Sequence, residues 1–391
     1  MPPVLPAPSP AKHSSPRFAF IDRLRGLAVL VMIETHTYNA LLNRPDRGSH
    51  FFAYVNFLNG LVAPSFLFCA GVAFAISVRR KRADYLSLKP SFWSYVRRLL
   101  FILMVAYSLH VPIFSLRQML NVQDAQSWTS FFQVDILQVI AITLLGALAL
   151  FVSIRNDRVF LATVSILTVI AIFLAPAVNQ SHYPNLPMWF RAYFSHAYDS
   201  QFPMLPWSAF LMAGILAGWA FMEIDQAKKD KAIQIAIGTS LIVIVVSLVA
   251  EWLPFRIYSH GNFWIDSPQF FLVRLALIII IGALLWRIEK TEIKARNDNS
   301  LLLLFGMESL LVYTVHLVIV YGHSLMYSYS HLFPQDLSYT QCFGLYVALV
   351  LAMYGLAYLW HNLKAKNLKM AKIVQYAVVA IVAGQFIISA G

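Results

Sequence analysis

The stretch that decides the fold begins at Arg17. From there to Leu42 the chain reads RFAFIDRLRGLAVLVMIETHTYNALL, and residues 59–77 read NGLVAPSFLFCAGVAFAIS. Each segment contains an apolar run close to the roughly 20 residues that a helix needs to cross a bilayer. Glu34 and His36 lie within the first run, where ionisable groups are costly and for that reason indicate a functional site.

The rest of the chain repeats this apolar pattern. Of its 391 residues, 59% are hydrophobic and 12% are charged, against about 45–50% apolar and about 25% charged in soluble domains. The apolar runs are continuous, unlike the short alternating segments of a β-barrel. We therefore predict an all-α fold, a polytopic membrane helical bundle of about 11 transmembrane helices. The predicted spans are 24–42, 57–78, 95–114, 132–153, 159–176, 205–222, 232–252, 268–286, 301–321, 340–360 and 372–390.

The Lys and Arg residues between the spans predict the orientation of the bundle. Counted over alternate connections, 24 lie on the side of the N-terminus and 5 on the other side, and Arg274 lies inside the eighth span. Because cytoplasmic loops carry the excess of Lys and Arg, we predict a cytoplasmic N-terminus and an extracytoplasmic C-terminus. This distribution accounts for the net charge of +12, so we expect no nucleic acid partner.

The domain organisation is expected to be simple. Residues 1–16 are rich in Pro and Ser and are predicted to form a disordered cytoplasmic tail. Residues 17–391 are predicted to form one transmembrane domain, with a core over 17–322 and additional C-terminal helices over 340–390. The sequence contains no Gly-rich phosphate loop, HExxH, CxxC or GxSxG motif. We expect no metal, and we expect any chemistry to take place within the helix bundle or at its mouths.

The first span carries charge at one end and an imidazole toward the other. Arg25 and His36 are eleven residues apart, which places them about 20° apart around a helix and about 16 Å apart along its axis. Asp22 lies about 40° from His36 by the same geometry, whereas Glu34 faces elsewhere. Arg23 and Arg25 also suit simple anchoring of the span, and His36 also suits a hydrogen-bonded packing histidine.

Polar side chains in other spans are candidates for a cavity lining, although each also suits ordinary packing. Asp135 and Gln138 share a face of the fourth span, and Tyr313 and His316 share a face of the ninth, because residues three apart are neighbours on a helix. The further candidates are Asn59 and Ser65 in the second span and Trp207 at the entry of the sixth.

Three other residues in the spans have structural implications. Gly214 and Gly218 form a GxxxG pattern that favours close helix packing. Pro64 frees a backbone carbonyl wherever it interrupts a helix. Arg274 must either find a partner inside the bundle or extend its head group toward the membrane surface.

Several of these residues fall into recognisable motifs. They are Ile21-Asp22-Arg23-Leu24-Arg25-Gly26 with Met32 and His36, residues 63–68 (APSFLF) with Gly71, residues 135–138 (DILQ), Leu205-Pro206-Trp207 with Gly214, and residues 306–313 with His316. In this order, over roughly residues 17–322, the chain resembles the transmembrane acyltransferases. Within that superfamily it is most similar to bacterial relatives of the catalytic domain of heparan-α-glucosaminide N-acetyltransferase.

The resemblance implies a function. Members of the family move an acyl group, usually acetyl, from cytoplasmic acyl-CoA to a hydroxyl or amine of a saccharide on the far side of the membrane. A histidine at the acceptor cavity is the expected catalytic residue, and two positions match it: His36 in the first span and His50 in the loop that follows. We place His36 ahead because it is buried in the span and faces Arg25.

The resemblance also implies binding residues and partners. The expected donor is acetyl-CoA or another acyl-CoA, and the expected partners are membrane lipids and an extracytoplasmic saccharide. The resemblance allows for a homodimer and favours a bacterial inner membrane. The donor-binding candidates are Asp22, Arg23, Arg25, Arg79 and Arg80, and the substrate-cavity candidates are Glu34, Asn59, Ser65, Asp135, Gln138, Trp207, Tyr313 and His316.

Two questions stay open at the level of sequence. An imidazole can act as a general base on the acceptor or can itself be acylated in a two-step route. The chain also suits a secondary transporter or exporter of a glycan or small anion, or a noncatalytic membrane scaffold, although acidic residues within the spans are too sparse to favour a proton-coupled cycle.

Overall fold

The computed structural model describes residues 18–253, 267–292, 300–322 and 328–389. The predicted tail at residues 1–16 lies outside this part of the chain. The described structure is 82% helix and contains no strand, apart from an isolated bridge between Leu42 and Leu337. The predicted all-helical fold class is confirmed.

All of the predicted spans have helical counterparts. In chain order, the helices are α1 (Ala19–Leu41), α2 (Arg44–Arg47), α3 (His50–Asn59), α4 (Val62–Arg80), α5 (Arg82–Leu86), α6 (Pro90–Ser108), α7 (Leu116–Leu120), α8 (Ala125–Phe132), α9 (Ile136–Ile154), α10 (Asp157–Asn179), α11 (Met188–Arg191), α12 (Met204–Glu223), α13 (Lys229–Glu251), α14 (Pro268–Glu292), α15 (Leu301–Met307), α16 (Ser309–Tyr321), α17 (Tyr329–Leu332), α18 (Tyr339–Lys366) and α19 (Leu368–Ile388), with 3₁₀ turns at His196–Tyr198 and Gln226–Lys228.

Length and apolar composition identify the membrane helices. Within the described residues, eight helical segments are long and apolar enough to cross a membrane, or nine if the bent pair α15–α16 counts as one. The helices α1 and α6, which were also predicted as spans, are not among them. The chain is therefore an integral membrane protein with at least eight candidate spans, and the total of eleven and the orientation stay predictions.

Helix α1 lies at the centre of the bundle. It packs against α3, α4, α14, α15, α16 and α18, and this surrounds its charged residues Asp22 and Arg23, both of which are buried. The outer helices α10, α13, α18 and α19 instead expose large apolar side chains such as Val245 and Ile373. These are the surfaces that lipid covers in a helical membrane protein.

The closest contact between long helices joins α4 to α12. A Cβ atom added at Gly71 would collide with the carbonyl oxygen of Leu211, and one added at Gly214 would collide with the carbonyl oxygen of Phe68. Small residues let two backbones approach in this way where lipid provides no hydrophobic driving force. The packing role predicted for Gly214 is confirmed.

The ninth predicted span is not one straight helix. Helices α15 and α16 meet at an angle of 90°, and Glu308 lies at the break. Its buried carboxylate has Oε1 3.0 Å from Nδ1 of His361 and Oε2 2.5 Å from Nζ of Lys364, both on α18. The prediction of a continuous helix over 301–321 was wrong because contacts with a distant helix stabilise the break.

The region around His50 also differs from its prediction. His50 is the first residue of α3 rather than part of a loop, and the Ser49 hydroxyl caps this helix by accepting the Phe52 N–H at 3.2 Å. Pro64 lies in the first turn of α4, where its missing N–H removes no helical hydrogen bond. Pro64 thus lies just after the break between α3 and α4 in the candidate span His50–Arg80, and the freed carbonyl stays a prediction.

We predict that Gly214→Leu destabilises the protein, because a larger side chain must push α4 and α12 apart. Overpacking of this kind costs about 1–3 kcal/mol or more. The matched control is Gly146→Leu on α9, where an added Cβ meets no atom within 4 Å. In detergent, the melting temperature is expected to fall by several degrees only for Gly214→Leu, and equal melting temperatures for the two variants would contradict the packing account.

Candidate active site

Two cavities lie within the bundle, and α1 borders both. The first, called here the basic cavity, has a volume of about 760 Å³ and is lined by Asp22 and Arg25 near the start of α1. The second, called here the histidine cavity, has a volume of about 600 Å³ and is lined by His36 in the second half of α1. One continuous helix thus connects the two.

The two cavities share part of their walls. Phe66 of α4, Ile136 of α9 and Tyr313 of α16 line both. The Tyr313 hydroxyl donates to Oδ2 of Asp135 at 2.7 Å, and Asp135 itself lines the histidine cavity. Phe66, Ile136 and Tyr313, which line both cavities, are called here the shared wall. The hydrogen bond to Asp135 fixes the position of Tyr313 in this wall.

The basic cavity carries a strong excess of positive charge. Its lining includes four cationic side chains and one carboxylate: Arg25, Arg80, Lys81, Arg98 and Asp22. Arg25 Nη1 lies 3.4 Å from Oδ1 of Asp22 and donates to the Gly306 carbonyl at 3.1 Å. The one carboxylate of this described lining is thus paired with an arginine, and the net charge of the lining is positive, which favours a polyanion.

Two of the predicted donor-binding arginines do not line this cavity. Arg79 forms an ion pair with Glu223 at 2.8 Å and lies over the Trp219 ring, with Cζ 5.5 Å from its centroid. Arg23 is buried in the α1 packing and is also outside the cavity lining. The structure therefore brings Asp22, Arg25 and Arg80 together at the basic cavity and directs Arg79 and Arg23 elsewhere.

In the histidine cavity, His36 has two aromatic neighbours from α16. Its Nδ1 is 3.2 Å from the Tyr321 hydroxyl, which also donates to the His36 carbonyl at 3.5 Å. Because a phenol that donates to a carbonyl accepts from the imidazole, we assign the proton of neutral His36 to Nδ1. In that tautomer Nε2 is the basic nitrogen.

The ring of His316 packs against the ring of His36. The two rings lie 5.3 Å apart between centroids, and Nδ1 of His316 is 2.8 Å from the Val312 carbonyl. His316 is fully buried and does not line either cavity, and its Nε2 has no hydrogen-bond partner among the described residues. His316 thus packs beside His36 instead of facing the cavity.

His50 occupies a different environment. It is exposed at the start of α3, and it lines neither the basic nor the histidine cavity. The structure therefore separates the two candidate histidines, with His36 on a cavity lining and His50 on the surface.

The remaining candidates divide between cavity and framework. Asn59 and Trp207 line the histidine cavity, whereas Glu34 lies against the Asn59 side chain and Ser65 is buried away from both cavities. Gln138 is buried and completes a capping box, in which its Oε1 accepts the Asp135 N–H at 3.2 Å. The three-residue spacing of Asp135 and Gln138 is thus that of a capping box, which fixes the N-terminus of α9.

Sequence analysis missed several residues that line these cavities. Arg98 faces the basic cavity, and His110 and Tyr321 line the histidine cavity. Arg98 was counted only as a loop charge, although it lies within α6. Tyr321 is the last residue of α16. Aromatic residues at the ends of spans commonly form an interfacial belt, so its position alone does not indicate a cavity.

Metal chemistry has no evident site in the described residues. They contain no group of three or more His, Cys, Asp or Glu side chains arranged to hold a metal ion. The cavity linings include two imidazoles, tyrosine hydroxyls, carboxylates, a lysine ammonium group and guanidinium groups.

Comparison with known families decides the class of protein. The family model described as heparan-alpha-glucosaminide N-acetyltransferase, catalytic, matches residues 17–255, which include α1 and most of both cavity linings. The chain belongs to this family. No curated protein matched the chain in a separate search. Membership in the heparan-alpha-glucosaminide N-acetyltransferase family assigns a membrane acetyltransferase activity, and the all-helical fold agrees with it.

Proposed function

We propose that the protein transfers an acetyl group from an acyl-CoA in the basic cavity to a saccharide hydroxyl or amine in the histidine cavity. The observation that carries this proposal is the shared wall of Phe66, Ile136 and Tyr313. A group attached to a molecule in one cavity reaches an acceptor in the other by passing only this layer of side chains. Neither substrate has to cross the bundle.

The charge of the basic cavity supports acyl-CoA as the donor. Coenzyme A carries several phosphate charges, and guanidinium groups bind phosphate through paired, charge-assisted hydrogen bonds. We propose Arg80, Lys81 and Arg98, which all line the basic cavity, for this role. The pantetheine arm is extended and narrow, and it is suited to cover the rise of about 16 Å between Arg25 and His36 along α1.

The histidine cavity supports a polar, ring-shaped acceptor. Its lining combines the Trp207 ring with side-chain amides from several elements, which suit the alternating apolar faces and hydroxyl edges of a sugar. The amides are those of Asn39, Asn56, Asn59, Gln133 and Gln201. Binding sites that join aromatic walls to a few oriented polar groups are typical for small ligands.

We propose His36 as the catalytic residue. With Nδ1 held by Tyr321, Nε2 accepts the proton of the acceptor as its oxygen or nitrogen attacks the thioester carbon, and the CoA thiolate leaves. In the two-step alternative, Nε2 itself attacks the thioester and the acetyl group then passes from the imidazole to the acceptor. Single-turnover quenching with labelled acetyl-CoA separates the two, since only the second labels the protein.

We also propose the membrane setting. The Lys and Arg distribution supports a cytoplasmic opening for the basic cavity and an extracytoplasmic opening for the histidine cavity. In this setting residues 17–391 act as one transmembrane domain among membrane lipids, in a bacterial inner membrane, as a monomer or a homodimer.

The donor proposal predicts that Arg98→Gln weakens acetyl-CoA binding. Loss of a charge-assisted hydrogen bond costs about 1.5–3 kcal/mol, so KM for acetyl-CoA is expected to rise about tenfold or more. Arg97→Gln is the matched control, because Arg97 is its exposed neighbour and does not line the cavity. An equal rise in KM for both variants would place the donor outside the basic cavity.

The catalytic proposal predicts that His36→Ala lowers the rate of acetyl transfer by about 10²–10⁴-fold, the range of general acid–base catalysis. His50→Ala is expected to keep most of the activity. Melting temperatures of both variants control for folding, and labelled acetyl-CoA follows transfer in detergent.

Three outcomes would contradict this assignment. Loss of activity only in His50→Ala would make His50 the catalytic residue. Full activity in both variants would exclude a histidine mechanism. Saccharide flux into vesicles without any acetyl transfer would favour the transporter alternative.

A further inference from the structure

A third cavity lies beside the basic cavity and differs from it in character. It has a volume of about 250 Å³, and its walls come from α1, α4, α12, α13 and α14. Lys229 is the one charged side chain of its described lining, and the rest of that lining is apolar. Phe18, Ile21 and Ile76 line both this cavity and the basic cavity, so the two are direct neighbours.

A further apolar space continues this cavity along α13. It has a volume of about 330 Å³, lies between α13 and α14, and shares Ala232, Ala236 and Ile279 with the first. The two spaces together are called here the apolar groove. Their lining extends along α13 from Lys229 to Val243, a rise of about 21 Å. One leaflet provides about half of the roughly 30 Å of hydrocarbon in a bilayer, so the groove is long enough for a lipid acyl chain.

Small side chains keep the groove open. Its walls include Ala217 on α12 and Ala232 and Ala236 on α13, where larger residues would fill the space between the helices. Helix α13 packs along α14, and its Ile235, which lines the groove, is 59% exposed. The groove therefore opens toward the surface that lipid covers in a helical membrane protein.

A cation is held at one end of the groove. Lys229 is the first residue of α13, and its Nζ lies 4.4 Å from the centroid of the Phe221 ring and 5.6 Å from that of the Phe18 ring. Cζ of Arg80 lies 5.9 Å from the same Phe18 centroid. Cation–π contacts of this kind hold the charged groups in place. Positive charge at one end of a long apolar groove matches a lipid, whose headgroup lies above its acyl chains.

Two acidic side chains of this end have partners of their own. Glu289 of α14 accepts the N–H groups of Ala19 and Phe20 at 3.1 and 2.6 Å, and Asp225 pairs with Lys228 at 3.2 Å. Neither Glu289 nor Asp225 lines the groove. The charge of the described lining is therefore positive, and it favours an anionic headgroup over a zwitterionic one.

We propose that the apolar groove binds an anionic phospholipid, with one acyl chain along α13 and α14 and the headgroup at Lys229. Basic pockets between transmembrane helices bind anionic headgroups on the cytoplasmic side, and Lys229 lies on the side that is predicted to be cytoplasmic. Burial of the acyl chain provides affinity, and Lys229 provides the preference for negative charge. This site stands apart from the proposed acetyl transfer, which uses neither Lys229 nor the groove.

The test compares two phospholipids that differ only in their headgroups. Purified full-length protein in detergent is titrated with phosphatidylglycerol, which is anionic, or with phosphatidylethanolamine of the same acyl chains, which is zwitterionic. Native mass spectrometry measures the fraction of protein that carries a first lipid. The wild type is expected to bind phosphatidylglycerol about fivefold more tightly, the preference that one lysine near a headgroup provides.

Variants of lysine locate the headgroup. Lys229→Gln is expected to bind both phospholipids equally, and Lys229→Arg to keep the preference for phosphatidylglycerol. Lys228→Gln is the matched control, because Lys228 is the exposed neighbour of Lys229 and lies outside the groove lining. This variant removes the same charge and is expected to bind as the wild type does.

A second pair of variants locates the acyl chain. Ala236→Phe places a ring where the two spaces of the groove join and is expected to weaken the binding of both phospholipids about tenfold or more. Gly238→Phe is its control, since Gly238 is exposed on the same helix and an added Cβ there meets no atom within 4 Å. Melting temperatures of the four variants Lys229→Gln, Lys228→Gln, Ala236→Phe and Gly238→Phe control for folding.

Three results would overturn the inference: equal binding of the two phospholipids by the wild type, an unchanged preference in Lys229→Gln, or wild-type lipid binding in Ala236→Phe. Lys229→Gln changes a side chain at the end of the groove and leaves the helix packing intact. Its result therefore decides the inference even where Ala236→Phe lowers the melting temperature.

Discussion

The contact between α1 and the bent pair α15–α16 determines where both cavities lie. A Cβ added at Gly26 would collide with the Leu302 carbonyl, and one added at Gly306 would collide with that of Asp22, so α15 runs directly against the charged end of α1. The chain then turns by 90° at Glu308. This turn directs α16 along the second half of α1 and brings Tyr313 into the shared wall.

The turn itself depends on a buried cluster of charge. Glu308 is almost fully enclosed, and its carboxylate is satisfied by His361 and Lys364 from α18. Removal of these partners would leave the buried Glu308 carboxylate unpaired, which is destabilising. Helix α18, the second to last of the described helices, thus helps to shape the site although it lines neither cavity.

Much of this arrangement follows from local sequence, and the part that does not follow has a clear physical reason. The apolar runs specify the spans, and the positions of Arg25 and His36 on one helix place them at two different cavities. The bend at Glu308 was missed because apolar runs continue on both sides of this residue between Leu301 and Tyr321, and the groups that stabilise the break lie more than fifty residues later. The pairing of Arg79 with Glu223 was missed for the same reason, since ion pairs between distant helices leave no local pattern.

Under the proposed function, the bundle carries an acetyl group across the bilayer without moving a polar molecule across it. The proposal keeps the polyanionic donor, the acetyl group and the acceptor in separate environments: the basic cavity, the shared wall of Phe66, Ile136 and Tyr313, and the histidine cavity with His36 and Arg274. The central claim is that the thioester reaches this wall from the basic side.

An experimental density map of the protein with bound S-acetonyl-CoA, a thioether analogue that cannot transfer its acyl group, tests this claim most directly. The account predicts the phosphates beside Arg80 and Arg98, and the acetonyl carbonyl at the shared wall facing His36. Nucleotide density in the histidine cavity, or on the protein surface with the basic cavity empty, would contradict it.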